Sequence, residues 1–193
     1  MHGDILVHDV TLAYFWSHAV VHQHLERLDG CHPIIQGPVR YILAQCEATL
    51  HRTLLIVCGW RSLDEQLLNY QKGRVFNRET GVWDVSDATL IVTRAKPGTS
   101  SHNIVTRDGR PASLAVDLVP LLSSGLPNWD VDDRFWDDLY RICWHAGMDP
   151  LGDALGQYLP GDKGHIEEPG LRLKLDGLGV QYPALLPVAH TEV

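Results

Sequence analysis

Long apolar runs are missing from this sequence: no stretch approaches the ~20 residues that a helix needs to cross a bilayer. The opening residues, Met1 to Asp9, lack a basic stretch followed by an apolar one, so no secretory signal is read there and synthesis in the cytoplasm is expected. Basic charge is also scarce. Sixteen Lys and Arg stand against 24 Asp and Glu, a net charge of −8, which argues against a nucleic-acid binder that tracks phosphates with clustered cations. The four cysteines, Cys31, Cys46, Cys58 and Cys143, form no C-x-x-C pair. They make no dense disulfide framework, and their apolar neighbours read them as reduced core thiols. Glycine and proline, 17 and 11 of 193 residues, are too few for a low-complexity chain. What the sequence does have is an ordinary hydrophobic share of 45%, enough for one sizeable core, and 11 histidines against 2 Met and 3 Phe. Imidazole is a common metal ligand and general base, so the excess directs attention to a site.

Patterning outlines the elements. A helix is expected over 10–28, its histidines on a solvated face. A second opens with Pro38 at its first position and carries Val39, Ile42, Leu43, Cys46 and Leu50 at helical spacing, ending near His51 and Arg52. Leu54 to Cys58 reads as a buried strand. Ser62 and Glu65 form a capping box that starts a helix running to about Lys72, stopped by Gly73. Arg74 to Val85 reads as loop, and Ala88 to Thr93 as a second strand. Asp108-Gly109 signals a two-residue hairpin between His102–Thr106 and Ala112–Val119. A last long helix spans Asp130 to Ala146, with Phe135, Leu139, Ile142, Cys143 and Ala146 as its apolar stripe and Gly147 to end it. The acids of its first turns complement the helix dipole. Past Gly161-Asp162 the chain reads as extended and loop-rich. The expected class is α+β: a single domain with a small, mostly antiparallel sheet flanked by helices. Its organisation is an N-terminal extension over 1–27, a main domain over 28–170 and a tail over 171–193.

The hairpin carries a chemical consequence. With Asp108-Gly109 as the turn, Arg107 pairs with Arg110 and His102 falls opposite Ala115, so that Asp117 lies diagonally beside His102 on one face. Asp117 sits among Ala115, Val116, Leu118 and Val119, and a carboxylate in apolar surroundings is costly unless it is paired or binds metal. A His–Asp hydrogen bond without metal satisfies this as well as a metal does. Asp162 and His165, three residues apart in a Gly-rich segment, could add a nitrogen ligand and a nearby carboxylate. Two His and one carboxylate leave a tetrahedral zinc with an open position for water, the arrangement of catalytic zinc.

At these residues the chain resembles a known family. Gly59-Trp60-Arg61-Ser62-Leu63-Asp64-Glu65-Gln66, Tyr70, Lys72-Gly73-Arg74, Ala95 to Asn103, Ala115-Val116-Asp117-Leu118 and Asp162 to Glu167 occur in the order seen in VanY-like zinc D-alanyl-D-alanine carboxypeptidases and L-alanyl-D-glutamate endopeptidases, which include phage endolysins. The resemblance covers about Leu28 to Glu167. It implies one zinc ion held by His102, Asp117 and His165, Asp162 as catalytic base, and Arg61 as the residue that binds substrate and steadies the oxyanion. Ser100 and Gln66 fall on pocket-lining positions, although Gln66 reads equally as a helix-surface amide and Ser100 as the start of a strand. His32, His51 and His145 lie outside the motifs and are assigned structural roles. Two departures stand out: fourteen residues separate His102 from Asp117, more than the family usually places there, and Ser113 stands where a glycine is usual.

The function these expectations imply is a zinc metallopeptidase that cleaves a bond in the peptidoglycan stem peptide, with no nucleic-acid or membrane partner. A phage lysin released through a holin or delivered with a virion fits the expected absence of a signal peptide and of wall-binding repeats. A zinc-containing binding module without turnover, and an intracellular D-Ala-D-Ala dipeptidase, are the alternatives.

Overall fold

The computed structural model describes residues 25–150 and 163–184. The expected helix over 10–28 lies outside these except for its end, where Glu26–Leu28 form a 3-10 turn. Helix α1 spans Pro33–Leu50. Proline stands at its first position as expected of a helix start, but that proline is Pro33, and Pro38 lies inside the helix. Both prolines could fill the one position where a missing N–H costs nothing, and the cap decides between them: His32 Nδ1 accepts from Ile34 N at 3.2 Å. Ile35, Val39, Ile42 and Cys46 form the buried stripe of α1.

Strand β1, Leu54–Cys58, forms as the sequence predicts, and so does the capping box. Ser62 Oγ accepts from Glu65 N while Glu65 Oε2 accepts from Ser62 N at 2.9 Å, opening α2 over Leu63–Gln71. The segment Arg74 to Val85, expected as loop, is a hairpin of β2, Arg74–Asn77, and β3, Val82–Val85. Turn residues between short strands conceal the ladder in the sequence: Asn77 Oδ1 accepts from Glu79 N and Thr80 N, and Phe76 packs across on Trp83 with centroids 5.2 Å apart. The strand expected over Ala88 to Thr93 is instead a 3-10 turn, Ala88–Leu90, capped by Asp87. Asp87 Oδ1 takes Thr89 N at 2.9 Å, and Thr93's carbonyl accepts from Arg74 at 3.0 Å, so both ends of the run are committed elsewhere.

A 3-10 turn at Ser101–Asn103 precedes β4, Val105–Thr106, and β5 runs over Ala115–Pro120. Helix α3, Asp133–His145, is capped by Asp132, whose Oδ1 accepts from Phe135 N at 2.9 Å. Gly147 closes it at φ 75°. Strands β6, Asp149–Pro150, and β7, His165–Glu167, follow, and then α4, Leu171–Leu178, and β8, Val180–Gln181. The described residues past 162 are thus not loop-rich: α4 adds Leu171 and β8 adds Val180 to the core, and β8 pairs with β4.

The main sheet has the order β1-β5-β7-β6 and every pairing in it is antiparallel. Leu54, Ile56, Val116, Leu118 and Ile166 join α1 and the α3 residues Trp136, Leu139, Tyr140 and Cys143 in one buried cluster. A mixed α+β fold with a small antiparallel sheet flanked by helices is the result, as the patterning predicts. Because strand side chains alternate, the residues between these core positions face the other side of the sheet, and there Asp117 lies opposite His165 on β7 and Cys58 on β1.

A candidate metal centre and active site

The hairpin argument for His102 reaches the right neighbour by a different path. Val105 bridges Pro111, and Ala112 N bonds to Ile104 O, a register one residue off the expected one, and β4 pairs with β8 rather than with β5. Pro111 has no amide to donate, which disfavours a regular ladder at that point. His102 therefore sits on a 3-10 turn laid over β5. Ser100 Oγ caps that turn by accepting from His102 N at 3.3 Å. Two bonds fasten it to the loop after β1: Arg61 N donates to His102 O at 2.9 Å, and Asn103 Nδ2 donates to Arg61 O at 2.8 Å.

Hydrogen bonds fix the tautomer of His102 and orient the ring of His165. His102 Nδ1 lies 2.7 Å from the Gly59 carbonyl, which can only accept, so Nδ1 carries the proton and the Nε2 lone pair points inward. A Cβ at Gly59 would collide with the Arg27 carbonyl, so this approach requires glycine. His165 opens β7 with a carboxylate at each ring nitrogen: Nε2 lies 3.2 Å from Glu167 Oε2, and Nδ1 faces Asp117 and His102. Both inward-facing nitrogens meet Asp117. His102 Nε2 is 3.1 Å from Asp117 Oδ1, His165 Nδ1 is 3.2 Å from the same oxygen, and the two nitrogens are 3.1 Å apart.

Three electron-pair donors this close repel one another unless protons or a cation lie among them. Without a cation, protons fill the role. Burial disfavours the imidazolium of His102, but the Asp117 carboxylate overrides it and raises its pKa to about 10. Burial likewise opposes charge on His165, and hydrogen bonds to Asp117 and Glu167 lift it to about 9. Burial pushes Asp117 up, but the charges and hydrogen bonds of the two imidazoles together outweigh it and hold the carboxyl well below the usual carboxylate range. A divalent ion satisfies the same triangle directly. Zinc bound tetrahedrally to nitrogen and oxygen at ~2.0–2.2 Å sets its donors about 3.3 Å apart, close to the three separations observed. The donor set of two imidazoles and one carboxylate suits zinc and leaves a fourth position.

Asp117 divides its oxygens: Oδ1 faces the imidazoles and Oδ2 accepts from Arg61 at 3.1 Å. Gln66 holds Arg61 in turn. Its Oε1 accepts from Arg61 at 2.8 Å and its Nε2 donates to Ala95 O at 2.8 Å, and it is fully buried, which excludes the helix-surface reading. Ser100 is buried too and its hydroxyl serves the turn. Asp162, the expected base, lies outside the described residues. Glu167 and Cys58 were not singled out by the sequence. Glu167, two residues past His165, shares its face by strand alternation, a signal that was there to be used. Cys58 Sγ lies with ligand atoms of His102 and Asp117, all within 4.8 Å of one another. A cleft of about 750 Å³ adjoins this edge of the site, lined among others by Arg27, Cys58, Trp60, Arg61 and Lys72. No helix among the described residues is long and apolar enough to cross a membrane.

No protein-family model matches this chain, and no curated protein matches it. Among solved structures it is similar to the vancomycin-resistance D,D-pentapeptidase VanY of a VanB-type cassette in complex with Zn(II). The TM-score is 0.47 at 16% identity, covering 77% of this chain and 78% of that one. VanYB in complex with D-alanine-D-alanine gives 0.47 at 16%, over 76% and 77%. The LdcB LD-carboxypeptidase gives 0.43 at 19%, over 75% and 68%. At these scores the functional reading rests on the geometry of the site itself.

Proposed function

We propose that this chain is a zinc peptidase that hydrolyses a peptide bond in the stem peptide of peptidoglycan. The observation that carries the reading is the convergence of His102 Nε2, Asp117 Oδ1 and His165 Nδ1 at 3.1–3.2 Å, with the His102 tautomer fixed by the Gly59 carbonyl. The ordered motifs that resemble VanY-like peptidases name the substrate class. His102, Asp117 and His165 would hold the zinc, and the bound metal supplies Lewis acidity toward a carbonyl and acidifies a water.

The protein's own groups divide the remaining work. Arg61 spends N–H groups on Gln66 and Asp117, and a guanidinium carries five. The others serve a substrate oxygen on which negative charge develops, and the fixed fork means little reorganisation is needed at that moment. Asp162, three residues before His165, takes the proton of the attacking water and returns it to the leaving amine. Gln66 and Ser100 act behind these residues, one by aiming Arg61 and the other by holding the His102 turn.

The test is metal analysis joined to mass spectrometry of muropeptides digested by the purified protein. One zinc per chain and release of a new amine terminus are expected. Asp162→Ala should retain the zinc and lose at least ~100-fold in rate, the scale of a missing general base. Equal turnover by Asp162→Ala would defeat the mechanism, and stoichiometric zinc with no released amine would favour a binding module. Product masses separate an L-alanyl-D-glutamate endopeptidase, the specificity suited to a phage lysin, from a D-Ala-D-Ala carboxypeptidase.

A further inference from the structure

We infer that Cys58 supplies a fourth, sulfur donor to the metal at His102, Asp117 and His165, closing the site when substrate is absent. The inference rests on the zinc reading above and concerns a residue that none of the motifs includes as a ligand. Its basis is a backbone irregularity. Ile56 pairs with Leu118, and regular pairing would then set Val57 against Asp117. Instead the register shifts between Ile56 and Cys58, and Cys58 stands opposite Asp117. A bulge of this kind re-aims a side chain at the end of a strand. Here it brings Sγ into one group with donor atoms of His102 and Asp117, all within 4.8 Å of one another.

The thiol is held loosely where it is. Its hydrogen bond to the carbonyl of Gly59 is long, at 3.5 Å, a weak contact that a χ1 rotation breaks at small cost, and its other side-chain hydrogen bond is to His102 itself. Tetrahedral zinc with sulfur at ~2.3 Å and nitrogen at ~2.0 Å places the two donors about 3.5 Å apart, and Sγ already lies within 4.8 Å of the donor atoms of His102 and Asp117. On coordination the S–H proton leaves to solvent and a sulfur–metal bond takes its place. Thiolate and carboxylate together neutralise a divalent cation, and sulfur biases the site toward zinc or cobalt over magnesium or calcium.

Position separates Cys58 from the other three thiols. Cys31, Cys46 and Cys143 are sealed in the core at 3%, 0% and 0% exposure, whereas Cys58 is half-buried and lines the 750 Å³ cleft beside Arg61. A ligand entering that cleft reaches the sulfur side of the site first. Release of the sulfur on substrate entry, with the thiolate taking back a proton from solvent, would free the fourth position for the water that the proposed hydrolysis needs.

Two readouts other than activity test this on the full chain. Cobalt(II)-loaded wild-type protein should show thiolate-to-cobalt absorption in the near ultraviolet, and Cys58→Ser and Cys58→Ala should lack it while still binding one cobalt. Iodoacetamide labelling read by peptide mass should modify Cys58 alone and should slow about tenfold when zinc is added, because coordination consumes the thiolate that reacts. Identical cobalt spectra in wild type and Cys58→Ser overturn the inference, as does zinc-independent labelling. Slower labelling without the sulfur absorption also overturns it, since shielding by neighbours then suffices. Failure of wild type and variants alike to take up metal would instead defeat the zinc reading.

Discussion

Gln66 illustrates how much of this site depends on single side chains that never meet the substrate. It is fully buried with both ends of its amide occupied, one by Arg61 and the other by the Ala95 carbonyl. Gln66→Leu keeps the volume and removes both bonds, so Arg61 loses one of its two fixed partners. The expected result is a fall of about 10- to 100-fold in kcat/KM, the scale of a misplaced positioning group, with zinc content unchanged. Metal loss in this variant would mean that Gln66 supports the whole site rather than Arg61.

The titration of the metal triangle gives a second prediction at this scale, for protein stripped by chelator. His102 and His165 have pKa values raised to about 10 and about 9 against an ordinary 6.5. Their contribution to stability is therefore complete below about pH 6.5 and is lost as pH rises through 9 to 10. Asp117 is shifted down. Its contribution is present above about pH 4, the unfolded carboxylate value, and disappears as acid reaches its folded pKa. Thermal midpoints of the stripped protein should decline from pH 8 to pH 10, and a rise over that interval would contradict the charge pairing described. Zinc binding near pH 7.5 should also release protons, which calorimetry in buffers of differing ionisation enthalpy measures directly.

At the scale of elements, the site depends on close backbone approaches that only glycine permits. Leu118 N bonds to Gly164 O at 2.8 Å, and a Cβ on Gly164 would strike the Leu118 carbonyl. Since Gly164 precedes His165 and Leu118 follows Asp117, Gly164→Ala must push β7 from β5 where two of the candidate ligands face each other. Destabilisation of about 1–3 kcal/mol is expected from such overpacking, together with weaker zinc retention, checked by denaturant unfolding and chelator competition. An unchanged midpoint would show that the strands can shift apart freely.

Elements with chemical punctuation were legible in the sequence. Ser62 with Glu65 and Gly147 after α3 are read correctly because each satisfies or ends a specific backbone pattern, whereas Asp132, expected inside the helix as one of its first-turn acids, is its cap. The hairpin over Arg74–Val85 was not, because both its strands are largely exposed and lack the burial alternation that marks a strand. Ala88 to Thr93 erred the other way: its apolar run looks like a buried strand, yet Leu90 and Val92 are exposed and Asp87 turns the chain. The ordered motifs brought out His102, Asp117, His165 and Arg61, which the structure gathers. Cys58 escaped because a bulge, invisible to a period-two pattern, moves it to the face of Asp117.

At the scale of the whole molecule, the chain closes on itself after the site is built. Leu171 of α4 and Val180 of β8 enter the same buried cluster as α1 and α3. Strand β8 pairs with β4, Val105 against Gln181 and Thr106 against Val180, two and three residues after the turn that carries His102. The last described elements therefore brace the segment that positions a candidate metal ligand. A chain ending at Gly170 loses that pairing and bares Leu171's and Val180's places in the core. Each buried aliphatic side chain of this kind contributes ~1.5–3 kcal/mol, a large part of the 5–15 kcal/mol that typically separates folded from unfolded. The truncated protein should unfold at a lower temperature and exchange zinc faster, with the amides of 101–106 losing hydrogen-exchange protection before those of β1 and β5. Retention of full protection at 101–106 in the shortened chain would show that the His102 turn is held by Arg61 and Asn103 alone, and that the closing elements serve the core without serving the site.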